Sequence, residues 1–172
     1  MDIALVLDTI RPAAAYRRSA TYDELVATWE DESDCPTLGE IEAAWLSIHA
    51  AELCRQIDQH ADRVRAAIVG DPVRVVEYQR AEQEAAAYRA AGYNGIVPPT
   101  VLSWAEAKGW DALRAADDIL AVAAVWNQAL YVLRDARLKG KEAVRGAVDE
   151  TAAAVAASAA IAQIQAVLTV AG

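Results

Sequence analysis

Alanine occupies 41 of the 172 positions, and this restricts the possible folds more than any other feature of the chain. Ala is the strongest helix former because fixing its side chain costs no rotamer entropy. Gly and Pro together number 13, 8 and 5 respectively, so helix breakers are scarce. A sheet-dominated or disordered chain is therefore disfavoured. The apolar fraction of 55% also overstates the bulk available for a core, since aromatics are only 6% and Phe is absent. The expectation is a mainly α protein of long Ala-rich helices, large enough for one large or two small domains.

Charge narrows the function. The net charge is -9, which argues against nucleic acid as a partner because phosphate binding needs clustered Lys and Arg. The imbalance is local: residues 1–60 hold 12 acids and 4 bases, whereas residues 61–172 hold 13 acids and 12 bases. Eight acids and no base lie between Asp23 and Glu42, which reads as a solvated face or a surface that docks a basic partner.

Nothing in Met1–Pro12 resembles a signal peptide, because a basic leader is missing and Arg11-Pro12 cuts the apolar run short. With only Cys35 and Cys54, residence in a reducing cytoplasm is expected. The chargeless segment 151–172 has the length of a membrane span, but Ser158, Gln163, Gln165 and Thr169 interrupt it, and a membrane partner is not expected.

Local patterns divide the chain into three stretches. In residues 1–36 a short helix runs from Asp2, its N-cap, to Ile10, with a strand as the alternative; Ala14–Arg18 and Tyr22–Trp29 then read as a small β-hairpin. Residues 37–92 read as a helical pair. The first helix opens at a Thr37/Glu40 capping box and ends at Gly70; the second opens at Asp71-Pro72 and carries Val73, Val76, Ala87 and Ala91 on one side. Residues 93–172 form a C-terminal helical segment. Tyr93-Asn94-Gly95 and Pro98-Pro99 punctuate its start, a short helix ends at Gly109, and a longer one follows Asp111 with Leu113, Val122, Trp126 and Leu133 on adjoining stripes. A last helix is expected from near Gly140, ending in a heptad seam of Ala154, Ala157, Ile161, Ile164, Leu168 and Ala171.

Catalytic and metal-binding patterns are lacking. His49 and Glu52 share a helix face while Cys54 turns away, His60 lies three turns on, and there is no H-E-x-x-H or paired C-x-x-C spacing. Asp31–Asp34 lacks the glycine and closing Glu of a calcium loop, and neither cysteine has an activating neighbour. No catalytic, cofactor-binding or metal-ligating residue is assigned, and no enzyme is expected. What remains are candidate partner-binding residues. Trp104 and Trp110 flank the short helix and either pin it or face a partner, while Ile161, Ile164 and Leu168 line a seam for a second copy or another protein, or pack back onto Leu120–Leu133 within the chain.

Two stretches resemble a known group of proteins. Met1–Leu5, Ile10-Arg11-Pro12, the aromatic segment ending in Trp29, the acidic turn and Pro36-Thr37 with Glu40–Trp45 are similar to small bacteriophage tail proteins of the tail-fibre-associated or assembly-chaperone-like type. A second stretch is similar to the helical portion of related tail proteins: Val97-Pro98-Pro99, Trp104-Ala105, Ala115-Ala116-Asp117, Ile119-Leu120, Arg137-Leu138 and Lys141-Glu142. The resemblance implies a non-enzymatic tail accessory protein made in the host cytoplasm. Its partner would be a tail fibre or baseplate protein, bound as a virion subunit or during fibre assembly. The alternative is a generic helical adaptor or self-associating bundle with no phage role.

Overall fold

The computed structural model describes residues 1–171, with side chains for all of these except Pro72, Val170 and Ala171. Seven helices make up the described chain: α1 Ile3–Ile10, α2 Tyr22–Ala27, α3 Leu38–Val69, α4 Pro72–Ala90, α5 Pro99–Lys108, α6 Ala112–Arg145 and α7 Glu150–Ala171. The protein is mainly helical, as its alanine content requires.

Helix boundaries fall where side chains satisfy orphan amides. Asp2 accepts the Leu5 N–H at 3.2 Å, Asp71 the Val73 N–H at 2.9 Å, Asp111 the Arg114 N–H at 2.7 Å and Asp149 the Ala152 N–H at 2.7 Å. The Thr37/Glu40 box forms reciprocally: the Thr37 hydroxyl accepts the Glu40 N–H and the Glu40 carboxylate accepts the Thr37 N–H at 2.7 Å. Those bonds to the charged form hold the Glu40 carboxyl below its usual pKa.

The β-hairpin expected before residue 30 is not present. Residues 22–27 form α2 instead, because Thr21 and Glu24 make a second cap: the Thr21 hydroxyl accepts the Glu24 N–H, and the Glu24 carboxylate accepts the Ala20 N–H at 2.9 Å. Two satisfied amides favour a helical turn over a strand in a sequence with weak alternation. A lone antiparallel bridge between Tyr16 and Trp29 remains, with their rings stacked at 6.3 Å.

The chain divides into two compact units. The first comprises Met1–Asp58 with Lys139–Ala160; the second comprises Gln59–Leu138 with the chain from Ile161 onward. In the first unit α1 and α2 bury Ile3, Val6, Leu7 and Leu25 against Ile41 of α3, flanked by Trp29, Trp45 and Ile48. The acidic turn closes this module structurally. Asp31 accepts N–H bonds from Ala15 at 3.0 Å and Ser33 at 2.9 Å, and the Ser33 hydroxyl at 2.6 Å, which together lower its pKa.

Also in the first unit, Gly140 sits inside α6 rather than at a helix start. A Cβ there would overlap the Ala160 methyl of α7 and lie 3.6 Å from Ile57 Cδ1 of α3. Gly140 is therefore a close-packing position, and the next helix begins only at Glu150, after Asp149 supplies a cap.

The C-terminal seam is offset from the expected heptad. Ala153, Ala157, Ala160, Ile164 and Val167 are the buried positions of α7, whereas Ala154 and Leu168 face solvent, Ile161 is half-buried and the Ala171 side chain lies outside the described residues. Helix α4 likewise turns Val73, Val76, Ala87 and Ala91 outward and buries Ala85 and Tyr88.

The second unit has its own core. Ala85 and Tyr88 of α4, Val101 and Ala105 of α5, and Ala115 and Ala116 of α6 are buried together. Small residues dominate, which lets the three backbones approach closely.

Candidate functional site

Helices α4, α5 and α6 of the second unit enclose an open groove of about 770 Å³. Its position follows from how α5 is held. Pro99 presets the first turn of α5, and Gly109, left-handed at φ 66°, ends it. Glu84 of α4 accepts the Thr100 N–H at 3.0 Å and the Thr100 hydroxyl at 2.7 Å, while Arg80 reaches the same carboxylate at 3.0 Å. These partners keep the Glu84 carboxyl below its ordinary range, the Thr100 hydroxyl contributing most.

On the other side, Trp104 donates its indole N–H to Asp118 of α6 at 2.9 Å. Tyr93, in a left-handed conformation at φ 59°, packs edge-on against Tyr88 at 5.7 Å and donates to Asp117 at 2.6 Å, an arrangement that raises its phenol pKa. The loop 91–98 is thus tied to the start of α6.

The groove floor is apolar, formed by Ile119, Val122 and Ala123 of α6 with Tyr78, Trp104 and Trp126 around it. Trp126 donates to the Ile68 carbonyl at 3.1 Å and meets Tyr78 edge-on at 6.5 Å. Its charged lining is Glu77, Arg80, Glu82 and Asp118. Glu82 accepts from Asn127 at 3.0 Å, which fixes its orientation without neutralising it.

The five residues singled out from the sequence separate. Trp104 both pins α5 and lines the groove, 36% exposed. Trp110 lies outside it, half-buried, with the Arg114 guanidinium 4.2 Å from its ring centre and Lys108 at 5.7 Å. Ile164 is 0% exposed and belongs to the packed face of α7; Ile161 is half-buried and Leu168 exposed. Tyr78, Glu77 and Val122 were not visible from sequence as site residues, because α4 reads as amphipathic about a different face and Val122 reads as core.

The other residues weighed from the sequence have defined partners. Glu52 is held down to about pKa 2 by Arg55 and Gln56 beside it. Cys54 is buried, its thiol directed to the Lys141 carbonyl at 3.8 Å, and Lys141 pairs with Asp58 at 2.6 Å. His60 meets Gln165 at 3.5 Å, and the His49 ring lies over Trp45. Among the described residues no three His, Cys, Asp or Glu side chains converge as a metal site. One helical stretch, Glu150–Thr169, is long and apolar enough to cross a membrane by length and composition.

No family model matches the chain, and neither a curated protein nor a solved structure is significantly similar to it. The class that the fold itself defines is a mainly helical protein with an aromatic, acid-lined groove on one unit.

Proposed function

We propose that this chain is a non-enzymatic accessory protein of a bacteriophage tail that binds the tail fibre or baseplate, as a virion subunit or a fibre assembly chaperone. The observation that carries this reading is a coincidence of place. Part of the second stretch that resembles phage tail proteins, Val97-Pro98-Pro99, Trp104-Ala105, Ala115-Ala116-Asp117 and Ile119-Leu120, falls in and around α5 and the start of α6, where Trp104 and Ile119 line the groove. Exposed aromatics in a concave apolar site favour protein docking, since such side chains anchor interfaces at small entropic cost. The groove's hydroxyls are engaged in holding α5: Ser103 donates to the Thr100 carbonyl within the helix, and Thr100 donates to Glu84 of α4.

The test is co-purification. The protein should be recovered with intact phage particles, or in complex with the product of a neighbouring fibre gene on co-expression. Recovery solely as free protein in both settings rejects the reading and leaves a generic helical adaptor.

A further inference from the structure

The geometry points to a specific occupant for the α4–α5–α6 groove: a basic amphipathic segment of a protein partner, which places an Arg or Lys side chain between the groove's aromatics and its carboxylates. This deepens the tail-accessory reading by naming the chemistry of the partner surface.

Charge selection is the first argument. Helix α4 as a whole is balanced, with Glu77, Glu82 and Glu84 against Arg74, Arg80 and Arg89. The groove lining is not balanced: three carboxylates, Glu77, Glu82 and Asp118, face one guanidinium, Arg80, which is itself bonded to Glu84 outside the lining. The neutral donors on Glu82 and Asp118, Asn127 and the Trp104 indole, orient those carboxylates and leave their charge in place. An acidic lining against low-dielectric walls focuses a negative potential that a cation relieves.

Aromatic composition is the second argument. Tyr78, Trp104 and Trp126 line the groove, and aromatic rings attract cations, most strongly a planar guanidinium. The chain already uses this pairing: Lys108 lies 4.7 Å from the ring centre of the groove's own Trp104, and Arg114 covers Trp110 outside the groove.

Shape decides for a polypeptide segment. The apolar floor is exposed, Val122 at 64%, and Val73 and Val76 continue apolar surface along α4 one turn before Glu77 and Arg80. Such a strip suits the alternating apolar and basic side chains of a helix laid in a groove. A second copy is the poorer fit, because residues 1–60 would bring 12 acids and 4 bases to an acidic site and residues 61–172 no basic excess.

Calorimetric titration of the full chain tests this, using a helical peptide of Leu on one face and Arg on the other. The peptide should bind, weaken as salt is raised, and lose about tenfold or more in affinity to E77K or to V122R, both at exposed positions and both checked for native helicity. The same peptide with Glu replacing Arg should not bind. Overturning results are an absence of peptide binding, equal binding of the Glu peptide, no effect of E77K, or an alkylguanidinium salt alone binding as tightly as the peptide. If V122R alone loses helicity, E77K decides. On co-expression with the fibre gene product, V122R should lose a partner that the wild-type chain retains. Retention by both overturns the groove assignment while the tail reading stands; retention by neither rejects the tail reading, and the peptide titration then decides the groove by itself.

Discussion

Gly140 of α6 and Ala160 of α7 touch so closely that no side chain fits between them, with Ile57 of α3 closing the third side of the contact. A glycine in mid-helix costs about 1 kcal/mol in propensity relative to Ala. Its presence here is explained by the Ala160 methyl, which occupies the space a Cβ at this position would need. Gly140→Ala should therefore destabilise the protein by about 1–3 kcal/mol despite its better propensity. Urea unfolding checks this, and adding Ala160→Gly should recover part of the loss.

The buried face of α7 makes the C-terminal helix part of the folding unit. Ile164→Ala should cost about 2–5 kcal/mol, the usual cost of emptying a fully buried aliphatic site. Leu168→Ala, one turn away and 42% exposed, should cost about 1 kcal/mol or less. Ending the chain at Glu150 removes five buried positions and should abolish cooperative unfolding by circular dichroism. Equal effects of the two substitutions would contradict the observed seam.

Acid should loosen α4 from α5. The Glu84 carboxyl lies below its ordinary value of 4.5 because it accepts from Thr100 and pairs with Arg80. A depressed folded-state pKa means that the unfolded chain binds more protons in this window. The stabilisation is complete above the ordinary value and is lost as pH falls through the native one. Melting temperature should fall on acidification below about pH 4.5, and Glu84→Gln should melt lower than wild type at neutral pH yet approach it as pH falls through the lowered native value.

Neither thiol should react readily. Burial raises the Cys35 pKa, which lowers its thiolate fraction, and Cys54 is buried, which keeps reagents from it. Labelling of the native protein by an aromatic disulfide reagent should run about tenfold or more slower than in denaturant.

Thr37→Ala should cost about 1 kcal/mol by removing one half of the reciprocal cap at the start of α3. A change within a few tenths of a kcal/mol in urea unfolding would show that water replaces the hydroxyl without loss.

The helical class, the Asp2, Thr37, Asp71 and Asp111 caps and the stops at Gly70 and Gly109 were determined by the sequence itself, because each depends on residues within one turn of each other. The Thr21/Glu24 cap is equally local, yet its aromatic and β-branched neighbours give the same stretch a strand-like pattern. Which side of each helix is buried was a different matter. With so many alanines, several faces of α4, α6 and α7 have nearly equal apolarity, and sequence spacing alone offers no energetic difference large enough to choose among them. Contacts between distant segments made that choice: Ala160 against Gly140 in one unit, Tyr88 and Ala85 against Val101 in the other. The groove belongs to the same category. Glu77, Trp104 and Val122 stand far apart in the chain, and only the packing of α5 between its anchors on Glu84 and Asp118 brings them to one surface.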